Sequence, residues 1–234
     1  MTACTLQDIH AARERIRGIV LHTPLLEDPT TGNGPWLKAE HLQRTGSFKL
    51  RGAANRVIRA VEEGARHIVT GSSGNHGQAV AYIAQRLGIK ATIVVPEDCA
   101  QVKLAGMRAY GAEVELCGRT STERLDRAAV ITRTQGAVFI PPYDDVHVMA
   151  GQGTAGLEIL EQLADVETVY VPIGGGGLIS GVATAIKETN PRVRVVGVEP
   201  ELANDTFLSR QRGEITDIGM SASIADGLRA SHPG

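Results

Sequence analysis

The stretch that decides the fold is "HIVTGSSGNHGQAVAYIAQRLGIKATIVVP", His67–Pro96. It opens on a short β-branched run and breaks at a glycine–serine loop. It continues as "GQAVAYIAQRLG", with apolar residues at helical spacing and a stop at Gly88, and returns to the apolar run "KATIVVP". Strand, helix and strand joined by short loops make a βαβ unit, whose two strands are parallel. The rhythm carries on. "CAQVKLAGMRAYG" reads as a helix, "AEVELCG" as a strand, "STERLDRAAVITRTQG" as a helix and "AVFIPP" as a strand. Then come the helix "GQGTAGLEILEQLA", the strand "ETVYVPI", the helix "GLISGVATAIKET" and the strand "RVRVVGVEP". Several strands are unbroken apolar runs, as expected when helices cover both faces of a sheet. The expected class is α/β with parallel sheets.

Outside this alternation, "TLQDIHAARERIRGIV" has helical period, "HTPLLEDPTTGNGP" reads as loop and "WLKAEHLQ" as a short strand. The last stretch, "GEITDIGMSASIADGLRASHPG", predicts no closing helix or strand. The 234 residues are 42% hydrophobic and 21% charged, with a formal charge of −2, which argues against a nucleic-acid partner. Three cysteines without CxxC spacing argue against a disulfide framework or a zinc site, so a cytoplasmic setting is expected. The N-terminus has no signal-peptide pattern, and no apolar run approaches the ~20 residues that span a bilayer, so no membrane partner is expected.

Two strand-to-helix loops could hold a ligand. In "VYVPIGGGGLISGVATAIK" four glycines, Gly174, Gly175, Gly176 and Gly177, precede a helix. Their backbone N–H groups can converge on a small anion and the helix dipole favours it, so a phosphate is the natural occupant. A tight turn needs fewer glycines. The rival is a dinucleotide fold with Glu199 as the ribose-binding acid, but GxGxxG fits no register. The second loop sets Ser72, Ser73, Asn75 and His76 among glycines at a helix start. It can cradle a carboxylate; capping by Ser73 or Asn75 and a structural role for His76 are the plainer alternatives.

A lysine also stands where a helix begins, in "HLQRTGSFKLRGAANRV", with Ser47 as the expected N-cap. Cations there are disfavoured by ~0.3–1 kcal/mol. A lysine is useful in that place as a neutral nucleophile, its pKa pulled down by the positive field. Lys49, together with a phosphate cup elsewhere in the chain, suggests a phosphorylated aldehyde held as a Schiff base, such as pyridoxal 5′-phosphate. A solvated surface lysine is the alternative.

"TGSFKLRGA", "SSGNHGQA", "VPIGGGGLISG" and "SIADG" stand in the same order in the fold-type II (tryptophan synthase β-like) pyridoxal-phosphate enzymes, and the chain resembles their threonine dehydratase and serine racemase branch. The resemblance implies two parallel-rich open sheets flanked by helices. It implies a large cofactor domain from residues 1–66 and 145–234 and a small mobile domain from 67–144. Family members run beyond Gly234, so the resemblance implies a C-terminal truncation. It leaves the large domain incomplete and gives the pyridine nitrogen no nameable partner. Lys49 becomes the Schiff-base lysine and the base for the substrate Cα proton. Phe48 packs near the cofactor, the four glycines bind its phosphate, and Asn75 bonds its ring hydroxyl. Ser72, Ser73, Asn75 and His76 surround the substrate carboxylate, and Gly227 covers the ring face opposite Ser73. Ser73 is also implied as the second acid–base, on the face opposite Lys49. Glu199, Asp205 and the Ala203 carbonyl resemble a site for Mg²⁺ or Ca²⁺, whose ligands are oxygens.

The implied activity is dehydration and deamination of serine or threonine, small amino-acid substrates, with serine racemisation beside it. A homodimer is implied as well. The alternatives are a non-catalytic fragment, a dehydratase of another hydroxylated amino acid, β-replacement chemistry of the cystathionine or cysteine type, and a nucleotide-dependent oxidoreductase.

Overall fold

Helix and strand alternate along the chain as the pattern predicts. The computed structural model describes residues 3–28, 30, 35–72, 74–219 and 221–234. In order it contains α1 (Leu6–Arg15), β1 (Leu25–Glu27), β2 (Trp36–Lys38), α2 (Lys49–Glu62), β3 (His67–Gly71), α3 (Asn75–Leu87), β4 (Lys90–Val95) and α4 (Gln101–Ala109). There follow β5 (Glu113–Leu116), α5 (Ser121–Gln135), β6 (Val138–Phe139), α6 (Val146–Gln162), β7 (Thr168–Pro172), α7 (Gly177–Thr189), β8 (Arg194–Val198) and α8 (Asp205–Arg212). The chain divides into two compact units, residues 15–142 and residues 1–14 with 143–234.

In the unit 15–142, four parallel strands are ordered β5-β4-β3-β6. One core joins Leu50, Ala53 and Val57 of α2, Val80 and Ile83 of α3, Leu104 and Met107 of α4, and Ile68 and Ile93 of the sheet. A second joins Ala128 and Ile131 of α5 to Val69 and Val94. Neighbouring residues of β3 and β4 thus feed different cores, which is why these strands read as unbroken apolar runs. β6 stops after two residues because Pro141 and Pro142 follow closely and offer no N–H to a ladder. The expected domain division at 66/67 and 144/145 differs from the compact units, which divide at 14/15 and 142/143. The reason is the apolar stripe of α2, which is buried in the same core as α3.

In the other unit, β7 and β8 pair in parallel from Thr168↔Arg194 to Pro172↔Val198. α6 and α7 cross at bare glycines. A Cβ on Gly181 would collide with the Met149 carbonyl and stand 2.6 Å from the Gly153 nitrogen; one on Gly153 would stand 2.8 Å from the Gly181 carbonyl oxygen. This contact holds α7 and with it the glycine loop at its start. Ile9 and Ala12 of α1 pack on Ala150, Leu157 and Ala185 behind the two helices. No helix among the described residues is long and apolar enough to cross a membrane.

Some local expectations are corrected. β1 falls within the stretch read as loop and pairs antiparallel with β2, Leu26 opposite Leu37. α6 begins at Val146 rather than Gly151, because the Asp145 carboxylate accepts from the N–H groups of His147 (2.8 Å) and Val148 (3.0 Å). α8 follows a single 3₁₀ turn at Glu201–Ala203. Ser47 does not cap α2: the cap position is Phe48, already helical at φ −56° and ψ −21°, and the buried Ser47 hydroxyl has no hydrogen-bond partner. A side-chain cap needs an extended residue before the helix, and the chain here enters already coiled.

One buried ion pair anchors that first turn. Arg51 is 0% exposed, and its Nε and Nη2 donate to the two carboxylate oxygens of Glu40 at 2.8 and 2.7 Å. Glu40 also accepts from the Thr23 hydroxyl at 2.6 Å. Removing Arg51 leaves the largely buried Glu40 carboxylate without its charged partner. Arg51→Ala is expected to lower the unfolding free energy by roughly 3–5 kcal/mol in urea titration; a loss near that of an exposed pair, about 0–1 kcal/mol, would mean that the pair does not hold the turn.

Candidate active site

The unit 15–142 carries the lysine. Lys49 is the first residue of α2, and its Nζ donates to the Pro142 carbonyl at 2.8 Å and stands 5.4 Å from the centroid of the Phe48 ring. Burial pulls the amine down from 10.5 to about 8. The sequence alone attributes such a shift to the helix field; the cause here is desolvation, which disfavours the ammonium. A useful fraction of Lys49 is therefore neutral near pH 8.

The second signature loop joins β3 to α3 in the same unit. Asn75 opens α3 and is exposed, with Gly74 at the cap position and no side-chain cap. The capping alternative for Asn75 is therefore not adopted. The Ser72 hydroxyl accepts weakly from the Gly74 N–H at 3.4 Å. Ser73 lies outside the described residues. Gly77 permits the tight return of the loop: a Cβ there would collide with the Ser72 carbonyl and stand 3.1 Å from Ile93. The first N–H groups of α3 have no intrahelical acceptor, so the loop presents backbone donors to an anion.

His76 is the second residue of α3. Its ring is buried, its Nε2 is 3.1 Å from the Ile140 carbonyl, and its Nδ1 has no partner. Burial, reinforced by the nearby Lys49 charge and opposed by the Ile140 hydrogen bond, lowers its pKa to about 3. The side chain ties α3 to the end of β6 as a neutral donor and supplies no positive charge to a carboxylate. Sequence reading passes over Arg124. It is a half-buried cation in α5 whose backbone would stand 3.5 Å from a Cβ on Gly71, and burial lowers its pKa. One arginine in a charged helix offers no pattern to single it out.

The other unit carries the glycine loop. Gly176 has φ +89° and caps α7 at its N-terminus. A Cβ on Gly174 would stand 3.2 Å from the Gly227 carbonyl oxygen and 3.5 Å from the Leu228 Cα, so "SIADG" lies against the tetraglycine turn. Gly227 itself has nothing within 4 Å of a Cβ position, so protein packing does not demand a glycine there. A groove of this unit, about 1040 Å³, runs along β8 beside Ile173, Ile179, Gly197 and Phe207; none of the four loop glycines lines it.

The cation triad is only partly assembled. Asp205 is buried with both carboxylate oxygens bare, and burial raises its pKa. The Glu199 carboxylate is committed to α8, accepting from the N–H groups of Thr206 (3.0 Å) and Phe207 (2.9 Å). Among the described residues, no group of three or more His, Cys, Asp or Glu side chains could hold a metal. These residues offer a cation the bare Asp205 carboxylate and no assembled ligand set among the described residues. The same commitment of Glu199 weighs against a ribose-binding role.

Parallel βαβ units, a desolvated lysine at a helix start and two glycine loops at helix N-termini define an α/β protein of the fold-type II kind. The family model described as pyridoxal-phosphate dependent enzyme matches residues 16–234, and the chain belongs to that family. It is 44% identical over 97% of its length to the L-threonine ammonia-lyase of Geobacter sulfurreducens, and it spans about 58% of the length of that relative. Maize serine racemase superposes with a TM-score of 0.95 at 37% identity, over 100% of this chain and 72% of that one. A threonine deaminase from T.th. superposes with a TM-score of 0.92 at 44% identity, over 98% of this chain and 76% of that one.

The burial of His76 has a pH signature. Its folded pKa of about 3 lies below the ordinary 6.5, so between those values the unfolded chain takes up a proton that the folded chain refuses. Its contribution to stability is complete above pH 6.5 and falls away as the pH drops toward 3. Urea midpoints measured across that window should decline less steeply for His76→Asn than for the parent chain; equal slopes would show that His76 is not the group responsible.

Proposed function

We propose that this polypeptide carries a pyridoxal-phosphate-dependent lyase site that converts threonine or serine to a 2-oxo acid and ammonia. The observation that carries this reading is the Lys49 amine, lowered to about 8 and held beside Phe48 at a helix start. The likeness to a threonine ammonia-lyase and a threonine deaminase supports the substrate class.

In this reading Lys49 holds the cofactor through its amine, beside Phe48. Gly174, Gly175, Gly176 and Gly177 offer backbone N–H groups to its phosphate, Asn75 reaches its ring hydroxyl, and Gly227 leaves room for its flat face. When bound, the cofactor supplies a ring that disperses negative charge from the substrate Cα. Once freed, the neutral Lys49 amine takes the Cα proton, and a low pKa is what leaves it able to do so at neutral pH. The resulting ammonium has a ready acceptor in the Pro142 carbonyl, 2.8 Å away. Ser72, Asn75 and the first N–H groups of α3 receive the substrate carboxylate. His76 acts on that loop by position, being neutral.

Serine racemisation is a second reading, favoured by the superposition on maize serine racemase and by Ser73 in the sequence. Ser73 would exchange the Cα proton from the face opposite Lys49. A divalent cation at Glu199, Ala203 and Asp205 is a proposal that rests on the bare carboxylate of Asp205. A homodimer and a cytoplasmic setting, the latter consistent with free Cys4, Cys99 and Cys117, belong to the same proposal.

The chain mixed with pyridoxal phosphate should develop the visible absorbance of a lysine imine, with a rate that rises through a midpoint near pH 8. Lys49→Ala should remove both the band and turnover of L-threonine; a variant that kept them would sink the assignment. Ser73→Ala should suppress interconversion of L- and D-serine more than dehydration of L-serine, and equal losses would exclude a two-face role for Ser73.

A further inference from the structure

The glycine loop is moulded on one aromatic residue. A Cβ on Gly175 would run into Cγ, Cδ1 and Cε1 of Tyr143. A Cβ on Gly177 would stand 2.9 Å from the Tyr143 carbonyl oxygen and 3.0 Å from its Cα and Cβ. Alternate glycines of the loop are therefore bare because Tyr143 occupies the space. Gly176 has a separate reason, its φ of +89°, and Gly174 faces Gly227 instead.

Tyr143 is itself held from below. Its carbonyl accepts from the Asp145 N–H at 2.9 Å, and the Asp145 carboxylate caps α6. α6 is fixed to α7 by the crossing of Gly153 and Gly181. The backbone that carries the ring is thus tied to the start of α6, while four consecutive glycines are as pliable as a backbone can be. Backbone N–H groups bind an anion tightly only when they already converge, because ordering a loose loop consumes the binding energy.

We propose that Tyr143 is a positioning residue whose ring pre-organises the Gly174–Gly177 loop for the anionic end of the cofactor. This rests on the reading that the loop takes the phosphate of pyridoxal phosphate. The contacts with Gly175 are made by ring carbons, so the role is assigned to the ring.

The test titrates the purified chain with pyridoxal phosphate and with pyridoxal, the same aldehyde without the phosphate, following absorbance. Tyr143→Phe should bind both as the parent does. Tyr143→Ala should lose about tenfold or more in affinity for pyridoxal phosphate and about twofold or less for pyridoxal. Gly175→Ala should also lose affinity for pyridoxal phosphate, and adding Tyr143→Ala to it should restore part of the loss, since the methyl takes the space vacated by the ring. Should Tyr143→Ala fail to fold by circular dichroism, Tyr143→Leu, which lacks the flat face, carries the same expectation. Parent-like binding by the folded alanine or leucine variant, equal losses for both aldehydes, or no recovery in the double variant would overturn the role of Tyr143. A parent chain that binds no pyridoxal phosphate would overturn the reading of the site instead.

Discussion

The structure depends on backbone approaching where a side chain would stand. Gly77 lets α3 begin against the Ser72 carbonyl, and Gly181 lets α7 lie on the backbone of α6 at Met149 and Gly153. Each approach sets the start of one helix, and each helix start carries one of the two loops that can receive an anion. A glycine inside a helix costs roughly 0.5–1 kcal/mol relative to alanine. That cost accompanies the close backbone approach that a side chain would block.

Burial rather than helix polarity governs the charges. Lys49 and His76 are both shifted toward their neutral forms by desolvation, one into a range useful for proton transfer and the other out of titration at neutral pH. Arg51 stays charged in full burial because Glu40 meets it with two hydrogen bonds. Within α2, residues 49 and 51 thus differ in character: one is desolvated toward its neutral form, the other is paired within the turn that bears the first.

The loops of the candidate site were legible in the sequence because their signals are local. Four consecutive glycines, "SSGNHG" and a lysine at a helix start announce loops and donors without reference to distant residues, and the family match agrees with the class they indicated. What escaped was non-local. Tyr143 follows two prolines and has no periodic partner, yet it shapes Gly175 and Gly177 from a distant part of the chain. The part of Glu199 in holding α8 became visible only when α8 itself was seen.

The sequence by itself determined the alternation of strand and helix, the parallel α/β class and the order of the signature loops, because hydrophobic period and glycine placement act over a few residues. Only the tertiary structure decided that α2 shares a core with α3, that His76 is a neutral tie to the Ile140 carbonyl, and that Asp205 is buried bare while Glu199 is engaged. Those outcomes turn on desolvation and on which backbone groups meet across the fold, and neither quantity exists until the chain has closed on itself.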